Sequence, residues 1–474
     1  SFMGKEVTVG ANPAVYQGRA LTGGWRHEAH LREMRASGSD GSATVKQRSS
    51  NGQATARARH GNAAPAFHGK MRVMPSASMS MSPSAPAQGL PPLDPLSQRH
   101  SDAVADHLRA QIAAAGGWLP FDHWMGDALY APGLGYYAAG SEKLGSPGTA
   151  ALGGDFVTAP ELTPLFGAAL ARQVAEVLAD CGSVQVMEVG AGTGVLARSL
   201  LEALDGLGVA ARYRILEVSA DLRERQRATL AAFGDRVTWL DALPESFTGC
   251  VVANELLDAM PVRLFHWPDN GGGLEERGVS VDATGAFVWV DRPAADLLTH
   301  AVSARMPALP GYTSEINLQA EAFVRGMGDW LTRGAALLID YGFPRAEYYH
   351  PQRAAGTLMC HLRHVAHADP FVAPGVQDIT AHVDFTAMAD AALEGGLEVL
   401  GYTSQSTFLM NAGLADMLAD LDPSDAKAYA RTVAPVQKLL SPAEMGELFK
   451  VLAVGRDVEV SLRGFAQGDR RHRL

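Results

Sequence analysis

Cysteine is scarce: three thiols, Cys181, Cys250 and Cys360, occur in 474 residues, far apart and without a CxxC pair. That excludes a disulfide-framed scaffold and a thiolate zinc site, and it fits a reducing compartment. Long apolar runs are missing too. None reaches the roughly 18–20 residues that a bilayer-spanning helix needs, so no membrane span is expected. Basic charge is in deficit, with 40 Lys/Arg against 51 Asp/Glu and a formal net charge of −11. The deficit is uneven: residues 1–90 hold 11 Lys/Arg and 4 Asp/Glu, which leaves −18 on the remaining 384 residues. So acidic a main body argues against general nucleic-acid binding and leans toward a basic partner.

Periodicity is absent from residues 1–90. They are rich in Gly, Ser, Ala, Arg and Pro, and Ser76 to Pro92 is low-complexity. They read as a disordered leader, or as an over-extended gene start with the true start near Met71 to Met81. Ser1-Phe2-Met3 looks like an expression-tag scar. A transit peptide would share the acid-poor composition but would need an amphipathic helix, and none is visible.

What is present is a core's worth of apolar residues, 47% of the chain, set in a regular order. Residues 91–165 read as an N-terminal helical and lid segment. Its first helix runs from Ser101 as N-cap to a stop at Gly116, and Thr163-Pro164 opens a helix to about Ala179. Strands and helices then alternate: strands 184–189, 212–218, 237–240, 249–254 and 335–341, with helices 194–204, 220–233 and 316–331 between them. Short apolar strands between amphipathic helices predict a parallel sheet covered on both faces. Two alternating runs around Asp282-Ala283-Thr284-Gly285 predict a β-hairpin within an insertion at 262–312. Further on, 384–395, 407–433 and 442–450 read as helices, and 397–402, 449–454 and 458–465 as strands.

The first βα turn is Glu188-Val189-Gly190-Ala191-Gly192-Thr193-Gly194. Glycines there let the backbone approach an anionic ligand at a helix N-terminus. A dinucleotide fingerprint would need a glycine at position 195, which is Val. An acid opening a G-x-G-x-G turn is instead the pattern of S-adenosylmethionine enzymes. Glu217, at the end of the second strand, is placed to accept both ribose hydroxyls, and Asp241-Ala242, at the end of the third, to meet the adenine. Glu188, Gly190, Ala191, Gly192, Gly194, Glu217, Asp241 and Ala242 are therefore the candidate cofactor residues.

Four stretches, Ala128–Tyr137 (ALYAPGLGYY), Gly154–Gly167 (GDFVTAPELTPLFG), Asn254–Pro261 (NELLDAMP) and Gly375–Phe385 (GVQDITAHVDF), resemble the MidA family, which includes the mitochondrial complex I assembly arginine methyltransferases. With the glycine turn, the resemblance covers about residues 95–460. It implies a class I methyltransferase of the Rossmann-like α/β type, with a seven-stranded sheet, the N-terminal helical segment, the β-hairpin insertion after strand four and a C-terminal helical insertion at 407–445, the methyltransferase domain proper being 166–474. It also implies S-adenosyl-L-methionine as cofactor and, as in the mitochondrial relatives, a protein substrate in a respiratory complex. The location would be cytoplasmic for a bacterial protein and the mitochondrial matrix for a eukaryotic one. The chain departs from the family at Gly140–Gly153, a longer, glycine-rich loop that puts substrate preference in doubt.

An arginine acceptor poses a chemical problem, since its guanidinium is protonated at neutral pH. Carboxylates can hold the fork and receive the proton on transfer. Asn254, Glu255 and Asp258, leaving strand four, are the candidate catalytic residues. If 255–258 begins a helix, Glu255 and Asp258 share a face; the alternatives are that they cap that helix or pair with a basic neighbour such as Arg263, or that they contact the cofactor's amino-acid moiety. Asp155, Thr158, Pro160 and Glu161 read as a lid over the methionyl end of the cofactor or over the acceptor, and Thr163 as a helix cap. Asp340 ends strand five, facing the acceptor or making a structural hydrogen bond. Tyr130, Tyr136 and Tyr137 read as core or pocket wall rather than as a cation-binding box, and His361, His364 and His367 as ordinary residues, with no metal expected. The loop at 130–137 and the 262–312 insertion are candidate docking surfaces for a substrate or for a second copy in a homodimer. A small-molecule methyltransferase, an assembly factor without activity and a dinucleotide oxidoreductase remain the competing readings.

Overall fold

The turn at Gly190–Gly194 lies at the centre of one large sheet, and the sheet's order explains why. A computed structural model describes residues 89–139, 158–421, 424 and 426–474, all within one compact unit, Met79–Leu474. The leader at 1–88, the glycine-rich loop at 140–153 and Asp155 lie outside the described residues.

We number the sheet's long strands β1 Gln185–Val189, β2 Arg212–Leu216, β3 Val237–Leu240, β4 Phe247–Asn254, β5 Leu331–Phe343, β6 Glu398–Ser404 and β7 Phe449–Arg456. Their order across the sheet is β6-β7-β5-β4-β1-β2-β3. An eighth strand, Val383–Asp384, lies parallel to the end of β5, so the count exceeds the expected seven by one short strand. The β5–β4–β1–β2–β3 half is parallel, and β7 runs antiparallel to both β5 and β6. The chain leaves β1 toward β2 on one side and later adds β4 on the other. The C-terminal ends of β1 and β4 therefore flank the switch point where open α/β sheets bind ligands.

Both faces are covered. The helices Pro164–Cys181 and Val195–Gly206 pack on one face, and Leu318–Trp330 and Phe385–Glu394 on the other. Thr163 caps the first of these, its Oγ1 accepting from Leu165 N, and Gly182 closes it in a left-handed conformation. Gly167 permits a close crossing of the first two: a Cβ there would meet Ser199 Oγ at 2.0 Å.

The insertion is larger than the predicted hairpin. Glu275–Val281 and Phe287–Pro293 do form one, but they join Arg263–His266, Thr313–Ile316 and the distant Leu119–Pro120 in a second, five-stranded sheet. A third sheet joins Met359–Leu362, Val365–His367 and Asp378–Thr380.

Several boundaries differ from expectation. The first helix is Pro95–Ala114, capped by Asp94, whose Oδ1 accepts from Leu96 N and Ser97 N, and Ser101 is buried inside it. The helical stretch near 407–433 is three helices, Gln405–Asn411, Leu414–Ala419 and Ala426–Leu440. Residues 442–450 are no helix: turns lead into β7, which already claims Phe449 and Lys450. Residues 458–465 are no strand, because the Asp180 carboxylate takes the N–H groups of Glu459 and Val460, and Arg463–Phe465 closes into a 3-10 turn.

Candidate functional site

The glycine turn is held open by backbone conformations that other residues rarely adopt. Gly190, Gly192 and Gly194 have φ of +72°, +50° and +81°. A Cβ on Gly190 would meet Leu256 Cδ1 at 2.9 Å, whereas the same position on Gly192 has nothing within 4 Å. The turn thus presents bare backbone to open space beside the N-terminus of Val195–Gly206. Ala191 is buried in the core behind it.

Glu188 sits lower, 2% exposed, with Oε2 accepting from Tyr213 OH at 2.8 Å. Burial, with Glu217 adding repulsion, pushes its pKa up to about 7 although the tyrosine opposes the shift. Glu217 is buried just beyond β2. Its Oε1 accepts from Ser219 N (2.9 Å) and its Oε2 from Gln226 Nε2 (3.1 Å). Asp241 stands at the rim with its carboxylate 91% exposed and bound by Arg223 at 2.7 Å, and Ala242 beside it is exposed. Val218, directly after Glu217, is 54% exposed, and Leu243, directly after Ala242, is 40% exposed. These apolar surfaces beside the two acids suit a flat ring.

Thr158, Pro160 and Glu161, read above as a lid, reach both the glycine turn and Glu255. Thr158 precedes the short helix Ala159–Leu162, Pro160 is buried in it, and Glu161 Oε1 accepts from Thr193 Oγ1 of the glycine turn at 3.3 Å. A backbone hydrogen bond from Ala159 reaches Glu255, and Glu161 repels that same carboxylate. The second and third family motifs therefore meet beside the turn.

Residues 255–258 do not begin a helix. Glu255 takes a left-handed φ of +51°, an uncommon conformation for a residue with a side chain, while its N–H still bonds Ile339 O. The chain then wraps Asp340: one oxygen of this enclosed carboxylate accepts from Leu257 N (2.9 Å) and Asp258 N (3.2 Å), the other from Tyr341 N. Asp258 is 2% exposed, with Oδ2 accepting from Tyr341 OH at 2.5 Å. Asn254 Nδ2 donates to Glu255 Oε1 at 3.1 Å. Arg263, the expected alternative partner, is engaged elsewhere, with Asp122 (3.2 Å) and Glu276 (3.6 Å). Among the described residues no cation pairs with Glu255, Asp258 or Asp340.

Burial raises all three carboxyls, and neighbouring carboxylates add to it for Glu255 and Asp340. Glu255 moves to about 8, by burial first and then by the Asp258 charge. Asp258 moves to about 6, by burial against the pull of Tyr341. Asp340 moves up strongly, by burial and by the charges of Asp258 and Glu255. The wall around them is aromatic. Tyr130 stacks on Tyr137 (5.5 Å, 19°), Tyr130 OH donates to Ala259 O, and Tyr137 OH donates to Asp378. His382, held at about 4 by burial and by Arg353 and Lys450, packs edge-on against Tyr341.

Such a cluster has a measurable cost. In the unfolded chain Glu255 ionises near 4.5, and in the folded one it keeps its proton up to about 8. Between these values the folded state binds more protons. Stability from this group is therefore full below the lower value and falls as pH climbs toward the upper. Unliganded protein should melt at lower temperature at pH 8 than at pH 5, and Glu255→Gln should flatten that fall. Parallel slopes for the two proteins would place Glu255 outside the cluster.

Sequence reasoning missed Gln226, whose amide joins the turn to Glu217, and Tyr341, whose hydroxyl holds Asp258. Neither belongs to a local pattern. The histidines stay apart in role: His361 and His367 lie on paired strands and His364 in the turn between them. Among the described residues, one group of three metal-ligand types converges, His266, Glu275 and Asp291 within 4.8 Å. It lies in the inserted sheet, where Arg277 already holds Asp291 by two bonds of 2.8 Å.

Residues 169–403 match the family described as "Putative S-adenosyl-L-methionine-dependent methyltransferase". A crystal structure from Burkholderia thailandensis, described as a "likely methyl transferase" bound to S-adenosyl-homocysteine, is 55% identical. The match covers 81% of this chain and 100% of that one, with a TM-score of 0.77. A native structure from the same organism is 54% identical at the same coverage, with a TM-score of 0.75. The mitochondrial protein arginine methyltransferase NDUFAF7 homolog of Drosophila melanogaster is 29% identical, over 74% of this chain and 84% of its own length. The human NDUFAF7 is 27% identical, over 73% and 82%.

Proposed function

Since the chain belongs to the MidA family of S-adenosyl-L-methionine-dependent methyltransferases, we propose that it transfers a methyl group from that cofactor to the guanidinium of an arginine in a protein substrate. The observation that carries this reading is the carboxyl trio of buried Asp258 and Asp340 with half-buried Glu255 beside them, walled by tyrosines and without a cation among the described residues. The relatives named as protein arginine methyltransferases support it. A subunit of a respiratory complex is the substrate class that the resemblance suggests.

The cofactor cleft fits S-adenosyl-L-methionine in its own features. Bare backbone at Gly190–Gly194 suits the amino-acid end, the Glu217 carboxylate suits two ribose hydroxyls, and Val218 offers an apolar face to the adenine. The cofactor supplies an electrophilic methyl on sulfonium and leaves as the neutral thioether. Glu255 and Asp258 hold the guanidinium and direct one nitrogen toward the turn. That nitrogen forms the new N–C bond and gives up one proton, and a carboxylate of the trio receives it. Tyr341 keeps Asp258 in one orientation, and the lid residues Thr158–Glu161 close the space between turn and acceptor.

Two measurements test the reading. Calorimetry should give tighter binding of S-adenosylmethionine than of NAD; the reverse order rules out the cofactor. Labelled methyl should then appear in a protein of a cell lysate and map by mass spectrometry to arginine. Label confined to small molecules would instead make the acceptor a metabolite.

A further inference from the structure

The helix Ala220–Thr229 buries a single residue, and that residue is a glutamine. Gln226 is fully enclosed, and its amide is used on both sides. Nε2 donates to Gly192 O at 2.9 Å and to Glu217 Oε2 at 3.1 Å, and Oε1 accepts from Trp239 Nε1 at 2.9 Å. Its Cα and Cγ lie 3.4 Å from where a Cβ on Gly194 would stand. One turn to either side on the same face, Arg223 donates to Glu217 O and Leu240 O, and Thr229 donates to Thr193 O. A leucine or methionine would fill the space under this helix without the cost of burying an amide. What only the amide can do is span two acceptors at a set separation. With Ser219 N on one oxygen of Glu217 and Gln226 on the other, the carboxylate plane is fixed and its remaining lone pairs are aimed.

Building on the cofactor assignment above, we propose that Gln226 is the positioning residue of the cofactor cleft: it sets the separation of the glycine turn from Glu217 and orients that carboxylate for the ribose. It touches no reacting atom and acts through Gly192 and Glu217.

The test is calorimetry of S-adenosyl-homocysteine with the full chain between pH 5.5 and 8, with melting temperatures measured in parallel. Wild-type protein that fails to bind defeats the cofactor assignment itself. If it binds, Gln226→Met, which keeps the volume and loses the amide, should bind roughly tenfold more weakly at pH 8. The deficit should widen as pH falls, because the Gln226 hydrogen bond is one of the contacts that hold the raised Glu217 pKa down. The other charges facing Glu217 are Arg223 from the same helix and Glu188 from β1, both untouched by the substitution. Equal affinities overturn the proposal, and so does a deficit that stays constant with pH, which is what a merely structural glutamine would give. Should Gln226→Met fail to fold, Trp239→Phe leaves Gln226 and Glu217 in place and removes the indole N–H that steadies the amide, together with the smaller ring of a half-buried side chain. A several-fold loss of affinity is then expected, and an unchanged one overturns the proposal.

Discussion

Asp258→Asn is expected to leave S-adenosyl-homocysteine binding within about twofold and to slow methyl transfer by roughly a thousandfold, the middle of the range for a proton acceptor in contact with the reacting group. The substitution keeps the side chain's volume and one carbonyl oxygen for Tyr341. It removes the charge that a guanidinium needs and the basicity that takes its proton. Asp258 Oδ1 is buried without a partner among the described residues, so a contact is left for an acceptor to complete. The same change relieves repulsion with Glu255 and Asp340. At pH 8 the variant should therefore melt at a higher temperature than wild type while losing activity, the stability-for-function exchange expected where like charges are held together for use. Single-turnover transfer at saturating cofactor is the measurement. A rate within fivefold of wild type would move the acceptor elsewhere.

That variant also separates the competing readings. An assembly factor without activity would show no transfer in either protein, and its partner binding would tolerate Asn. A small-molecule enzyme with a neutral acceptor would not need three carboxyls without a counter-ion. The trio costs stability above the ordinary carboxylate range, and the proposed cationic acceptor would offset that cost on binding. The pH slope of the free protein and the loss of transfer in Asp258→Asn are thus two consequences of one arrangement.

What could be read from the chain beforehand follows the range of the forces involved. The alternation of strands and helices, the glycine turn and the acids closing β1 and β2 are local patterns, and they stand where the spacing put them. The geometry of Glu255–Asp258 was not local. A turn stands where a helix is expected: Glu255 takes a left-handed φ that no helix accommodates, and Asp340, 83 residues away from Leu257, fixes the turn by accepting the N–H groups of Leu257 and Asp258. Gln226 was invisible for the same reason: in a helix otherwise polar and exposed it looked like one more surface residue, and only the packing of β1, β2 and β3 gives it partners. The inserted sheet recruits Leu119–Pro120 from far upstream, a pairing that periodicity does not encode. Ser101 resembled a cap, yet Asp94 stood earlier and accepted two N–H groups.

The second large effect concerns the feature that first pointed to the cofactor. Gly192→Val should weaken S-adenosyl-homocysteine binding by at least roughly a hundredfold, while the protein stays folded and its Tm falls by only a few degrees, since a β-branched side chain in the left-handed region costs about 1–3 kcal/mol. The larger loss comes from occupancy. A Cβ at Gly192 meets nothing within 4 Å, so an added side chain fills open space at the mouth of the turn and covers the backbone that a ligand would approach. Strain and occlusion can be told apart with a control inside the same chain. Gly208, just beyond the helix Val195–Gly206, has φ of +79° and equally open surroundings, but it borders none of the candidate cofactor residues. Gly208→Val should lower the Tm by a similar amount and leave the Kd unchanged. If both substitutions weakened binding alike, the loss would be one of folding, and the turn at Gly190–Gly194 would have no claim to the cofactor. If only Gly192→Val does so, the open space over the turn is where S-adenosyl-L-methionine binds.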